Sequence, residues 1–118
     1  MEQLEGRVAV ITGGASGIGL GLAQRFATEG MQLMLADIEP AALDAAAADL
    51  RAAGATVATQ VCDVSDADAV EALAEATYTT YGAAHVVCNN AGVVTRHDFW
   101  GPLEDWEWVL GVDLWSVI

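Results

Sequence analysis

Basic residues are almost absent from this chain. Arg7, Arg25, Arg51 and Arg96 are the only four in 118 residues and none is a lysine, against 17 acids, for a net charge of −13. A surface so acidic repels phosphate backbones and anionic lipid, which argues against a nucleic-acid or membrane-surface partner. A small anionic ligand is not excluded, because backbone N–H groups can hold one locally and salt screens the global field beyond about 8 Å. Cysteine is scarce as well: Cys62 and Cys88 form no CxxC pair, which excludes a disulfide framework and the usual zinc spacing, so no metal site is expected. No apolar run reaches the roughly 18 residues of a transmembrane helix. The amino terminus, MEQLEGR, lacks the basic-then-apolar order of a secretory signal. The expectation is a soluble cytoplasmic protein.

What is plentiful is apolar surface. Hydrophobic residues make up 54% of the chain, above the usual range of about 45–50% for globular proteins. The length suits one domain with one core. Short strand-like runs alternate with helical patterns. Arg7–Ile11 opens into TGGASGIG, and Ile18, Leu22 and Phe26 then recur at helical spacing until Gly30. Met31–Ala36 is a second apolar run. Pro40 stands where a first helical residue belongs, ahead of an alanine-rich helix that Gly54 closes. Thr56–Val61 is strand-like. Ser65-Asp66-Ala67-Asp68 fits a capping box before a helix that runs to Gly82, and His85–Cys88 is the fourth strand-like run. Pro102 starts a last helix. Runs this apolar cannot face water on either side, so the pattern predicts an α/β fold with parallel strands covered by helices.

The first stretch with chemistry in it is TGGASGIG. Gly13, Gly17 and Gly19 do not match the GxGxxG spacing, and Leu20 and Gly21 stand where a phosphate-binding P-loop needs Lys and Ser/Thr. The physics is nonetheless that of an anion site: a strand turns tightly into a helix, and free N–H groups and the helix dipole face outward. Asp37 ends the second apolar run, 20 residues after Gly17. In a doubly wound sheet that position reaches the crevice beside the first strand, where a carboxylate accepts hydrogen bonds from ribose hydroxyls. A 2′-phosphate would meet like charge there, and no base follows in Ile38-Glu39-Pro40, so NAD is favoured over NADP. The alternative is Asp37 as a helix N-cap ahead of Pro40.

Thr12 to Gly19, Asp37, Cys62-Asp63-Val64 and Asn89-Asn90-Ala91-Gly92 together resemble, in order and spacing, the first half of the short-chain dehydrogenase/reductase family. The resemblance covers essentially all 118 residues. It implies a Rossmann-like, doubly wound parallel sheet, truncated at about four strands in the order 3-2-1-4. It also implies that Gly13, Ser16, Gly17, Ile18 and Gly19 line the pyrophosphate and adenosine side, and that Asp37 binds the adenine ribose. Asp63 and Val64 would contact adenine. Asn90, Ala91 and Gly92 would approach the ribose region, while Asn89 would help to hold the fourth strand. His85 and Cys88 are read as ordinary strand residues. Arg96, His97 and Asp98 are read as a solvated loop, with a substrate role as the alternative. Trp100, Trp106, Trp108 and Trp115 are read as core and interface residues rather than as a stacking platform.

The family's proton donor is a tyrosine with a lysine four residues on and a serine beside it. No Tyr-x-x-x-Lys occurs in these 118 residues. The resemblance places it beyond Ile118, so these residues alone are expected to bind cofactor without catalysis. A fourth catalytic member, an asparagine, aligns with Asp113. Helical spacing puts Asp113 on one apolar face with Trp106, Val109, Leu110, Leu114 and Val117. There a carboxylate would lose the amide's donors, and burial would favour its neutral form. Two readings stand: the cofactor half of an NAD-dependent enzyme acting on an alcohol or ketone, or a non-catalytic nucleotide-binding or structural half-domain. With the fourth strand at a sheet edge, a homo-oligomer through the strand at 84–89 and the helix at 103–118 is expected.

Overall fold

The computed structural model describes residues 3–93 and 102–117, apart from the Trp115 side chain. The elements are β1 (Val8–Thr12), α1 (Gly17–Thr28), β2 (Gln32–Asp37), α2 (Pro40–Ala52), β3 (Thr56–Val61), α3 (Ala67–Tyr81), β4 (Val86–Cys88) and α4 (Leu103–Val109). A π-helical segment, Leu110–Trp115, continues from α4. The four strands form one parallel sheet in the order β3-β2-β1-β4, as expected.

Strand period decides which face each residue serves. Ala9 and Ile11 of β1 and Leu33 and Leu35 of β2 pack with Ala23 of α1 and Leu43, Ala47 and Leu50 of α2. Val10, Met34 and Ala36 point the other way, towards Cys62, just past β3, and Leu73 of α3. All five residues of β1 are buried, which is why that run carries no polar alternation. The alanines of α2 act as close-packing residues: Ala46 and Ala47 are buried, and their small size lets the helix lie near the sheet.

Three local expectations change. Asp66, not Ser65, caps α3: its side chain accepts from the Asp68 N–H at 3.0 Å. Asp66 holds the N-cap position, while the Ser65 hydroxyl donates to Asp63 Oδ1 at 2.6 Å. The fourth strand starts at Val86, since the Val8 N–H donates to the His85 ring at Nδ1 (2.9 Å) while the His85 N–H donates to the Val8 carbonyl (2.9 Å). His85 is thus a strand-edge fastener, in keeping with its reading as structural.

The third change is in the last helix. From Leu110 the bonds run i→i+5, so residues four apart no longer stack. The apolar face expected from 3.6-residue spacing is therefore broken. Val112 is the buried residue, at 7% exposure, whereas Trp106, Leu110, Leu114 and Val117 lie 38–53% exposed. Asp113 is exposed too, so the burial expected to favour its neutral form does not occur. Among the described residues, no helix is long and apolar enough to cross a membrane.

Candidate functional site

The carboxyl ends of the parallel strands open onto a cleft of about 530 Å³, within the range of roughly 300–1,000 Å³ typical of ligand pockets. At its centre is the loop from β1 to α1. Gly13 takes a φ of +64°, which only glycine adopts without strain, and a Cβ there would stand 3.0 Å from the Ala91 Cα. Gly19 is required for a different reason. A Cβ on it would run into the Gly13 carbonyl oxygen and lie 2.6 Å from Asn90 Nδ2, so the first turn of α1 packs directly on the loop. Gly17 opens that helix.

The loop is fastened on both sides. The Gly14 N–H donates to the Ala36 carbonyl (3.1 Å), and the Ala15 N–H donates to Asp37 Oδ2 (3.1 Å). Towards β4, the Thr12 hydroxyl accepts from the Asn90 and Ala91 N–H groups, both at 3.1 Å, and donates to the Cys88 carbonyl at 3.3 Å. Asn90 Nδ2 donates to the carbonyls of Thr12 (3.1 Å) and Gly13 (3.3 Å). Asn90 thus makes the tie expected of Asn89, which is exposed. Thr12 was not singled out from the sequence, because a threonine closing a β-branched strand is commonplace.

What this scaffold presents is a set of donors beside a carboxylate. The first intrahelical bond of α1 runs from the Leu20 N–H to the Ser16 carbonyl, so Gly17, Ile18 and Gly19 have no acceptor within the helix. Ser16 holds the N-cap position in an extended conformation without a side-chain cap bond. Asp37 ends β2. Its Oδ1 accepts from the Glu39 N–H at 3.1 Å, closing a short Asx turn. Glu39, not Asp37, occupies the N-cap of α2, so the capping alternative for Asp37 is set aside. Each carboxylate oxygen holds one N–H and keeps acceptor capacity for a ligand hydroxyl.

Gly13, Ser16, Ile18, Asp37, Asp63, Val64, Asn90, Ala91 and Gly92 line the cleft; Gly17, Gly19 and Asp113 stand outside the lining. Sequence reasoning missed Ile38, Glu39, Cys62, Val93, Trp108 and Val112. The first four are chain neighbours of residues it did find. Trp108 and Val112 had no local signal; they arrive because the last helix folds back, with a Cβ on Gly111 only 3.2 Å from Ser65 Cβ. Arg96, His97, Asp98 and Trp100 lie outside the described residues.

The charges in the lining are all negative: Asp37, Glu39 and Asp63. Among the described residues no cation lines the cleft, as Arg25 pairs with Glu29 at 2.7 Å and Arg51 donates to the Val57 carbonyl at 2.8 Å. Asp63 Oδ1 accepts from both the N–H and the hydroxyl of Ser65, which fixes the turn after β3. Burial pushes the Cys62 thiol above its ordinary pKa, and the Asp63 and Asp66 charges add to this. Asp113 Oδ1 accepts from the Val93 N–H at 2.7 Å, so the π-helical segment holds the chain just past Gly92. Among the described residues, no three His, Cys, Asp or Glu side chains gather as a metal site.

A family profile described as short chain dehydrogenase matches residues 7–118. The chain belongs to that family. Among its short-chain dehydrogenase relatives, the 1-deoxy-11-beta-hydroxypentalenate dehydrogenase of Streptomyces arenae is 47% identical over 113 residues, covering 93% of this chain and 40% of that protein. A short-chain dehydrogenase/reductase from Burkholderia phymatum, solved in complex with NAD, matches with a TM-score of 0.96 and 43% identity over 99% of this chain and 42% of its own. L-sorbose reductase from Gluconobacter frateurii, complexed with NADPH and L-sorbose, matches at 0.91 and 32% identity over 98% of this chain and 44% of its own. The chain therefore spans about two fifths of the length of these relatives. Short-chain dehydrogenases bind nicotinamide cofactors, and both NAD and NADPH occur among the solved relatives.

Proposed function

We propose that these residues form the NAD(H)-binding part of an oxidoreductase that acts on an alcohol or ketone. One observation carries the reading: Gly13 and Ser16 of the glycine loop and Ile18 in the open first turn of α1 share one cleft with the Asp37 carboxylate. Strand order orients the ligand. The pyrophosphate belongs at the loop after β1, one ribose at Asp37 after β2, and its base further out, after β3, beside Asp63 and Val64. The other half of the dinucleotide then runs towards Asn90, Ala91 and Gly92 after β4. Gly13, Ser16, Gly17, Ile18 and Gly19 serve the pyrophosphate side. When bound, the nicotinamide ring accepts or gives up a hydride. NAD is the preferred form, because a 2′-phosphate would meet Asp37 and Glu39 with no described cation to neutralise it.

Asp37→Ala is the test. Hydrogen bonds to a charged group contribute about 1.5–3 kcal/mol, so NADH affinity should fall by about ten- to a hundredfold in a direct titration. Wild-type affinity in this variant would contradict the ribose assignment. Because these 118 residues hold no lysine, a polypeptide of these residues alone is expected to bind NADH without turning it over.

A second reading, a non-catalytic module that self-associates, draws on a separate observation. Val87 on edge strand β4 is 56% exposed, and Leu110, Leu114 and Val117 are 38–53% exposed. We infer that a second copy covers the strand at 84–89 and the helix at 103–118. A single 12.3 kDa species at every concentration in analytical ultracentrifugation would rule this out.

A further inference from the structure

We propose that Trp108 is a binding residue whose indole forms the aromatic wall for the base at the β3 end of the cleft. This rests on the dinucleotide reading above and adds a residue to it. Trp108 lines the cleft yet remains 49% exposed, so it is not a core side chain. Its place follows from the backbone. Trp108 and Val112 both line the cleft, one on either side of Gly111. Gly111 is the close-contact point with Ser65 in the turn after β3, and Val112 is buried and lines the same cleft. This stretch of the last helix therefore lies against the turn carrying Asp63 and Val64, which line the same cleft.

The chemistry of the cleft selects the kind of group the indole meets. Its charged lining is carboxylate throughout, so a phosphate or a ligand carboxylate at this end would be repelled. A neutral planar ring suits it. The indole offers a flat apolar face, and Ile38, 56% exposed at the end of β2, adds a second apolar surface to the same cleft. Leaving both in water in the free protein is unfavourable, and covering them with a purine removes that surface from solvent. No signal near Trp108 in the sequence announces this role, since it depends on the last helix reaching back to the β3 turn.

The experiment is a titration of the full 118-residue chain with NADH and with ADP-ribose, which shares the adenylate half but lacks nicotinamide. Stacking of a base on an aromatic side chain predicts that Trp108→Ala weakens both ligands by about tenfold or more. Trp108→Phe should keep most of the affinity, and Trp108→Leu, apolar but not aromatic, should bind like the alanine variant. Wild-type affinity in Trp108→Ala overturns the proposal. So does a loss confined to NADH, which would move the indole away from the adenylate half, or equal binding by the Phe and Leu variants. If Trp108→Ala loses its circular-dichroism signature of folding, the Phe and Leu pair decides the matter by the same criteria. Should the wild-type chain bind neither ligand, the dinucleotide reading itself fails, and this proposal falls with it.

Discussion

Two regions build the walls of the cleft, and they are held in different ways. The frame of β1, β2 and the glycine loop is interior. Ala9, Ile11, Leu33 and Leu35 have no exposed surface, and the loop is fastened to β2 by Gly14 and Ala15 and to β4 by Thr12 and Asn90. The brace of α4 and the π-helical segment is a surface element. No residue of α4 is buried, and the contacts of the brace include Val112, the Gly111–Ser65 approach and the Asp113–Val93 hydrogen bond. The part of the cleft formed by the glycine loop and Asp37 is thus set by the core. The walls at the β3 turn and the β4 end depend on a helix with no buried residue of its own. Damage to the frame should cost both stability and binding, whereas damage to the brace should alter binding more than folding.

The largest effect is expected at Gly19. Alanine normally favours a helix over glycine by about 0.5–1 kcal/mol. Here its Cβ would strike the Gly13 carbonyl and crowd Asn90 Nδ2, and backbone cannot yield as a flexible side chain can. Gly19→Ala should therefore destabilise by about 3 kcal/mol, the upper end for overpacking, and abolish measurable NADH binding. A gain in thermal midpoint would break the frame side of the comparison. Thr12→Val comes next. It keeps the shape of a buried side chain but leaves the Asn90 and Ala91 N–H groups without their acceptor. A cost of about 2 kcal/mol in denaturant unfolding is expected.

Asp113 sharpens the brace side. Its observed role needs only an acceptor for the Val93 N–H, and an amide oxygen supplies one. Asp113→Asn should leave the thermal midpoint nearly unchanged, while Asp113→Ala should lose about 1 kcal/mol. If Asp113→Ala costs more than Gly19→Ala, the contrast between frame and brace is inverted. The smallest effect is one of pH. Burial raises the thiol pKa values of Cys62 and Cys88 above 9.0 and that of the Tyr81 phenol above 10.0. The unfolded chain therefore loses these protons first. Their contribution to stability is fully present below about pH 9 and is lost as pH rises through the folded-state values. Unfolding free energy should be flat near neutrality and decline in alkaline buffer; a rise there would contradict the assigned burial.

The same division governs what could be read from residues alone. The frame was legible because its determinants are local in sequence: an apolar run, a glycine cluster, a carboxylate at a strand end. Thr56–Val61 forms β3 over the expected span, and Gly13, Ser16 and Asp37 line one cleft. The brace was legible as a helix starting at Pro102, but not in the face it presents. A π-helical segment breaks the 3.6-residue spacing from which its apolar face was inferred, so Val112 turned inward and Asp113 outward. The roles of Thr12 Oγ1 and His85 Nδ1 depend on partners more than 70 positions away, and neither residue type advertises them. The cap of α3 is Asp66 and not Ser65, whose hydroxyl is turned to Asp63.

The central claim is that the Asp37 carboxylate receives the ribose of a dinucleotide lying on the glycine loop. Calorimetric titration of the chain with NADH and NADPH side by side tests it most directly. The account predicts that NADH binds and that NADPH binds at least about tenfold more weakly, because the added phosphate meets Asp37 and Glu39 without a described cation to balance it. Equal affinity for the two, or tighter binding of NADPH, would contradict it.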